Sequence, residues 1–269
     1  MRRVLIIAIA WLSASTPSWA ATGSYTFISP PRANRAEAVA VYGKIARFLT
    51  RATGASIVFH YTSNWLSYMA DVRANTADIY FDGPAFIGWR VAHFHDHAAV
   101  ALAGHLNFVL VTKKNGPPIT KITDLVGHSV CAFSPPNLAT LRLDSWFTNP
   151  ARQPYYVIIH SFADAAHNII GGGCVGALEP LPVYKRQAAR SPGALTIAYR
   201  APGIPNQGFS INARVPRALR QKIVQALLSP AGLAATKPLR DMFGHKSLVA
   251  VQDQAYLPYR KLLHVMVGF

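Results

Sequence analysis

Asp82, Gly83 and Pro84 end a run of β-forming residues, Ile79, Tyr80 and Phe81, and an apolar, helix-compatible run starts at once with Ala85, Phe86, Ile87, Gly88 and Trp89. A buried strand that turns straight into a helix presents the free N–H groups of that helix at the strand's C-terminal end, and in open α/β sheets this end faces the ligand crevice. Glycine lets a ligand approach the backbone, proline suits the first helical position, and the N–H groups beyond it favour an anionic or oxygen-rich group. The chemistry on offer is binding. The same turn also serves as plain architecture, so its reading depends on the rest of the chain.

Catalytic arrangements are missing. The sequence holds eleven acidic residues, with no paired-carboxylate spacing, no serine nucleophile elbow and no Cys–His arrangement, so an enzyme is not expected and no cofactor is assigned. Gly171-Gly172-Gly173 lacks a following Gly-Lys-Ser/Thr and leads into a strand, which makes it a helix stop rather than a phosphate cradle. His93, His95 and His97, with Asp96, form the densest set of metal-ligating types. A structural site needs four ligands arranged in three dimensions, and a solvated loop explains the cluster better; no metal is assigned. Cys131 and Cys174 each sit in a short apolar run. They are a candidate disulfide if those runs are neighbouring strands, and two buried thiols otherwise.

The elements that position these groups follow from composition and pattern. With 269 residues, 51% hydrophobic and 14% charged, the chain can build one large domain or two lobes with real cores. Residues 1–20 combine Arg2 and Arg3, an apolar run and the small-x-small ending Ser18-Trp19-Ala20, the pattern of an export signal cleaved after Ala20. The formal charge of +16 favours an anionic partner, but the basic residues are dispersed and no nucleic-acid-binding signature is present, so no nucleic acid is expected.

Strand-like runs at residues 24–29, 56–61 and 79–82 alternate with helical patterns at 36–53 and 64–72, which implies parallel strands joined by crossover helices. The polar break at 115–118 and the Pro/Gly-rich stretch at 201–207 read as two crossings between lobes. This divides the chain into residues 21–115 and 200–269 as a discontinuous first lobe, with 116–199 as the second. The expected fold is α/β, a two-lobe type 2 periplasmic binding protein with a ligand cleft between the lobes.

The wording of the chain then resembles a family, the phosphonate-binding-protein-like (PhnD-like) periplasmic substrate-binding components of phosphate, phosphite and phosphonate ABC transporters. The resemblance is carried by Tyr42-Gly43-Lys44-Ile45-Ala46-Arg47-Phe48-Leu49 with Thr53-Gly54, by Asn64-Trp65, by Ala77-Asp78-Ile79-Tyr80-Phe81-Asp82-Gly83-Pro84, by Gly127-His128-Ser129-Val130-Cys131-Ala132-Phe133 and by Val175-Gly176-Ala177-Leu178-Glu179. It implies a small oxyanion held between closing lobes in the periplasm, delivered by a monomer to an ABC permease or other inner-membrane partner. On the first lobe it places Tyr42, Asp82, Gly83 and Pro84 at the cleft. On the second it points to the helix-opening turn Ser134-Pro135-Pro136-Asn137-Leu138-Ala139-Thr140, where Ser134, Asn137 and Thr140 offer hydrogen bonds, two prolines remove backbone donors, and no Ser-Thr-Ser run stands. Glu179 falls where the family can hold an acidic group for a ligand amine. Tyr61 and Trp65, with Phe81, Phe86, Leu138, Leu181 and Tyr184, are aromatic or apolar cleft candidates. They keep open an alternative, a carrier of a lipid or sterol-like ligand on the same fold; a sensory binding module that feeds a membrane receptor is a separate one.

Overall fold

The computed structural model describes residues 23–269, and the expected export signal lies outside them. Among the described residues thirteen strands run β1 (Tyr25–Ser29), β2 (Ile57–Tyr61), β3 (Ile79–Asp82), β4 (His97–Leu102), β5 (His105–Leu106), β6 (Phe108–Lys113), β7 (Ser129–Ala132), β8 (Tyr155–Ile158), β9 (Gly176–Pro180), β10 (Leu195–Arg200), β11 (Ile204–Pro205), β12 (Gly208–Ile211) and β13 (Leu248–Ala250). They form a six-stranded sheet ordered β13-β4-β12-β3-β1-β2, a five-stranded sheet ordered β10-β6-β9-β7-β8, and a small ribbon of β11 with β5.

Both sheets are mixed. In the first, β1 runs parallel to β2 and β3, while β12 runs antiparallel to β3 on one side and β4 on the other. In the second, β7 is parallel to β8 and β9, and β6 is antiparallel to β9 and β10. The pairing of β6 corrects the boundary read at 115–118: Phe108–Lys113 belongs to the second sheet, and the stretch that follows it is a turn beneath that sheet. The first crossing lies upstream, where Gly104 takes φ 80° and the chain enters β5. Leu106 and His105 pair there with Ile204 and Pro205 of the return crossing.

Each lobe sheet has apolar layers on both faces, which is why its central strands are continuous apolar runs rather than alternating ones. Phe27, Ile79 and Phe81 face Ile45, Leu49 and Phe209 in one layer. Ile28 and Tyr80 point the other way, toward Tyr68, Phe86 and Trp89. Helix ends follow local chemistry. Asn64 Oδ1 accepts from Ser67 N at 2.9 Å to open Trp65–Ala74, and Gly54, at φ 77°, closes Lys44–Thr53. Cys131 and Cys174 are joined in a disulfide that ties β7 to the start of the β9 segment across 43 residues. A loop of that length removes about 4 kcal/mol of chain entropy from the unfolded state in the entropic treatment.

The C-terminal segment Leu257–Leu263 packs along the Pro84–Phe94 helix, and Tyr259 touches the apolar clusters of both lobes. Gly88 permits this approach: a Cβ there would meet the carbonyl oxygen of Tyr256 inside contact distance and Arg260 N at 3.1 Å. Gly88→Ala therefore displaces the segment, and an urea melt should show a loss of about 1–3 kcal/mol; an unchanged midpoint would mean that the two backbones are not in contact.

Candidate functional site

The turn at the end of β3 has the geometry that an anion-facing helix start requires. Gly83 caps the Pro84–Phe94 helix in extended conformation, and Pro84 takes its first position, leaving the N–H groups of Ala85 and Phe86 without intrahelical acceptors. The Arg32 guanidinium comes up beside this turn: a Cβ on Gly83 would stand 3.8 Å from Arg32 Nη2. Among the described residues no carboxylate lies within ion-pairing distance of Arg32. Guanidinium and helix start thus place two positive features side by side.

They face a cavity of about 140 Å³ between the lobes. From the first lobe it is lined by Arg32, Trp65, Gly83, Ala85 and Phe86, with Gln207 at the return crossing. The Trp65 and Phe86 rings stack at 6.4 Å. The second lobe and its approach contribute Leu106, Phe108, Pro136, Asn137, Leu138, Leu141 and Pro180. That wall is apolar except for Asn137, whose Oδ1 is already engaged by Ala139 N at 3.0 Å in opening the Leu138–Asp144 helix.

Of the candidate residues, Trp65, Gly83, Phe86, Asn137 and Leu138 line the cavity, and Pro84 lies directly behind Gly83. The others do not reach it. Asp82 is fully buried and bound in bidentate fashion by Arg90, with Nη1 to Oδ2 at 2.8 Å and Nη2 to Oδ1 at 3.1 Å. Tyr68 donates its hydroxyl to the same carboxylate. Arg90 also donates to Ser210 Oγ at 2.6 Å, approaches Asp96 at 3.4 Å, and lies 3.8 Å over the Tyr80 ring. Asp82 thus anchors the helix behind the turn instead of offering a carboxylate to a ligand. Burial holds the Asp96 carboxyl above its ordinary range, with the Arg90 charge opposing.

Tyr42 is a core residue, stacked on Phe59 at 5.3 Å. Its hydroxyl is buried without a hydrogen bond of good geometry, has Ser29 and Arg32 beside it, and is pushed up in pKa by burial. Tyr61 points its hydroxyl to Ala33 O at 3.4 Å. Thr140 spends its hydroxyl on Phe133 O at 2.7 Å, and Ser134 is exposed outside the cavity. Phe81 is core, and Leu181 and Tyr184 pack in the cluster around the disulfide.

Glu179 requires a correction too. It faces away from the cavity that the next residue, Pro180, lines, and it is fully buried with neither carboxylate oxygen hydrogen-bonded. Burial pushes its carboxyl up to about 8, with Gln187 and Arg186 opposing, so near neutral pH it is a protonated group behind the wall and no counter-ion for an amine.

The three histidines do not converge. His93 Nδ1 pairs with Trp89 O at 2.9 Å and its ring stacks on Trp89, His95 closes the helix at φ 57°, and His97 Nδ1 faces Asp253 Oδ2 at 3.4 Å. No group of three or more His, Cys, Asp or Glu among the described residues is placed to hold a metal, and no helix among them is long and apolar enough to cross a membrane. Arg32, Leu106, Phe108, Leu141, Pro180 and Gln207 were not foreseen as cleft residues. For Arg32 the available signal was a lone cation just after Pro30-Pro31 at a strand end.

Two mixed α/β sheets linked by two crossings, with a cavity between them, define a two-lobe periplasmic binding protein. A family model described as ABC transporter, phosphonate, periplasmic substrate-binding protein matches residues 27–256, and the chain belongs to that family. Members bind a small molecule in the periplasm and work with ABC permeases. Among solved structures, PhnD1 from Prochlorococcus marinus (MIT 9301) in complex with methylphosphonate is 11% identical, with a TM-score of 0.69 over 92% of this chain and 100% of that one. A binding protein component of an ABC phosphonate transporter from Pseudomonas aeruginosa is 13% identical, with a TM-score of 0.61 over 89% of this chain and 85% of that one. XAC2383 from Xanthomonas citri bound to ATP is 10% identical, with a TM-score of 0.66 over 91% and 96%. At these identities the likeness is one of fold. Among curated proteins none matches the chain.

Proposed function

We propose that this protein, exported and monomeric, captures a phosphonate-type oxyanion in the cleft between its lobes and presents the closed, loaded form to an ABC permease. The observation that carries this reading is the Arg32 guanidinium set beside the free N–H groups of the Pro84–Phe94 helix, both facing the interlobe cavity. Closure is driven by contacts that both lobes make only when a ligand lies between them. The reading needs no catalytic group. The apolar wall also suits a hydrophobic cargo, but about 140 Å³ falls short of the roughly 300–1,000 Å³ of pockets that enclose drug-sized ligands, and so short of a sterol or lipid.

Thermal unfolding of the mature protein with methylphosphonate, 2-aminoethylphosphonate, phosphite, phosphate, sulfate and a lipid extract tests the proposal. An oxyanion at about a hundred times its dissociation constant adds roughly 2.7 kcal/mol of stability. A shift with at least one phosphorus oxyanion is expected. Silence across all of them, with a shift from the extract, would replace this reading with the hydrophobic-carrier one.

A further inference from the structure

We propose that the outer helical layer of the first lobe is a docking face for an anionic phospholipid surface. The proposal goes beyond ligand capture: it rests on the periplasmic setting of the family and on no feature of the cleft. Positive charge is uneven along this chain. The helical run from Arg35 to Thr53 and the helix Arg217–Leu228 hold seven lysines and arginines against one carboxylate, Glu37. In the second lobe, residues 116–199 hold six against four. The fold turns the excess into one face. Ile45 and Leu49 from the first helical run and Ile223 and Leu227 from the other helix enter the same core cluster, with Phe27, Ile79 and Phe209, and the two pack side by side. Both therefore cover one face of the six-stranded sheet, and the sides they leave unburied point away from it together. Lys44, Arg47 and Arg51, three and then four residues apart, form the exposed stripe of the first. Arg217 and Lys222 are exposed on the second. Among the described residues none of these five has a carboxylate within ion-pairing distance.

The chemistry of the face selects lipid over protein. A protein partner is held through aromatic and apolar anchors at the centre of the contact. On these two helices Val39 is the one large apolar side chain that is exposed. A layer of anionic head groups asks only for dispersed cations, and each lysine or arginine brought close to it adds up to about fivefold in affinity. None of the five cations lines the interlobe cavity. A protein resting on this face therefore keeps its cleft clear while it moves along the membrane that holds the permease, which turns a search through volume into one over a surface. A smaller set of cations, Lys185, Arg186 and Arg190, lies exposed on the second-lobe helix Leu181–Arg190. That helix packs beside Phe162–Gly171, which carries Asp164 in its first turn, so the set is a rival of lower net charge.

Co-sedimentation of the mature protein with vesicles of phosphatidylcholine, alone or mixed with phosphatidylglycerol, tests the proposal. Binding is expected to the mixed vesicles at about 0.1 M salt, to be lost at about 1 M, where charges are screened within about 3 Å, and to be absent with phosphatidylcholine alone. Two triple variants locate the face: Lys44→Gln/Arg47→Gln/Arg51→Gln on the first lobe, and Lys185→Gln/Arg186→Gln/Arg190→Gln on the second. Both remove the same charge from exposed positions, and thermal melts check that each folds. The first should weaken binding by about tenfold or more, and the second should change it little. No binding to the mixed vesicles at low salt overturns the proposal, and so does an equal or larger loss from the second triple, which would make the attraction one of net charge or of the other lobe. Spheroplasts supply the last arm: binding to them that protease treatment abolishes, with none to the mixed vesicles, would assign the face to an acidic protein instead. Ligand capture is read separately by the thermal shifts and stands whichever way the vesicles decide.

Discussion

Arg90→Met lowers the stability of the protein by about 3–5 kcal/mol, the range seen when one member of a buried ion pair is removed. The side chain is fully buried, and so are the two carboxylates it serves, Asp82 and Asp96. Three charges out of water are tolerable because Arg90 neutralises Asp82 with two short bonds, meets Asp96, donates to Ser210 and covers its remaining face with the Tyr80 ring. Methionine fills the volume and restores none of this, so both carboxylates must be protonated or drag water inward. Asp82→Asn is milder, because Arg90 keeps Asp96 as a partner. Urea melts of the three proteins should rank them in that order. Arg90→Met within about 1 kcal/mol of the unaltered protein would show that the network contributes specificity rather than stability. Because the network reaches from β3 through the helix to β12, the substitution should also loosen the Gly83 turn and weaken ligand binding.

The second large effect is a dependence on pH. Glu179 has its folded-state pKa raised to about 8, far above that of an unfolded glutamate, about 4.3. Between these values the folded protein keeps a proton that the unfolded chain has released. Stability is therefore full below the unfolded value, falls as pH rises through the window at up to about 1.4 kcal/mol per pH unit, and levels off above about 8. Glu179→Gln removes the titration with little change of shape. Unfolding free energies measured from about pH 5 to pH 8 should slope downward for the unaltered protein and more gently for the variant. Parallel curves would mean that water or a partner group reaches the carboxylate. Burial raises Asp96 and Asp144 in the same sense, so the difference between the two proteins carries the prediction.

What the sequence made legible was the part governed by local rules. The run from Ile79 to Pro84 announces a strand turning into a helix because β-formers, glycine and proline each act within one or two residues. The first crossing was misplaced because the Lys113-Lys114-Asn115-Gly116-Pro117-Pro118 stretch carries stronger breakers than the true exit at Gly104. Strands as short as β5 and β11 have no pattern of their own. Asp82 was read as a ligand contact because its partner stands eight residues on, beyond any helix-surface pairing rule, and was visible only as one arginine in an otherwise apolar helix. The resemblance places Tyr42 and Glu179 at the cleft, yet their burial depends on neighbours such as Phe59 and Gln187 that no spacing links to them. The apolar wall of the cleft is assembled from β5, β6, β9 and the Leu138–Asp144 helix, and three-dimensional convergence of that kind leaves no mark in the order of residues.

The placement of β12 between β3 and β4 has a consequence for how the chain comes together in time. The two strands it joins are complete by residue 102, but the strand that bridges them begins at Gly208, after the entire second lobe has been threaded. Until then the N-terminal half is left with two open backbone edges flanking a missing middle, a state prone to pairing with the wrong chain. The second lobe, continuous in sequence and closed by its own disulfide, can settle first, and its completion delivers the missing strand. Assembly of the half of the cleft that carries Arg32 and the Gly83 turn is thereby made to wait on the half that faces it.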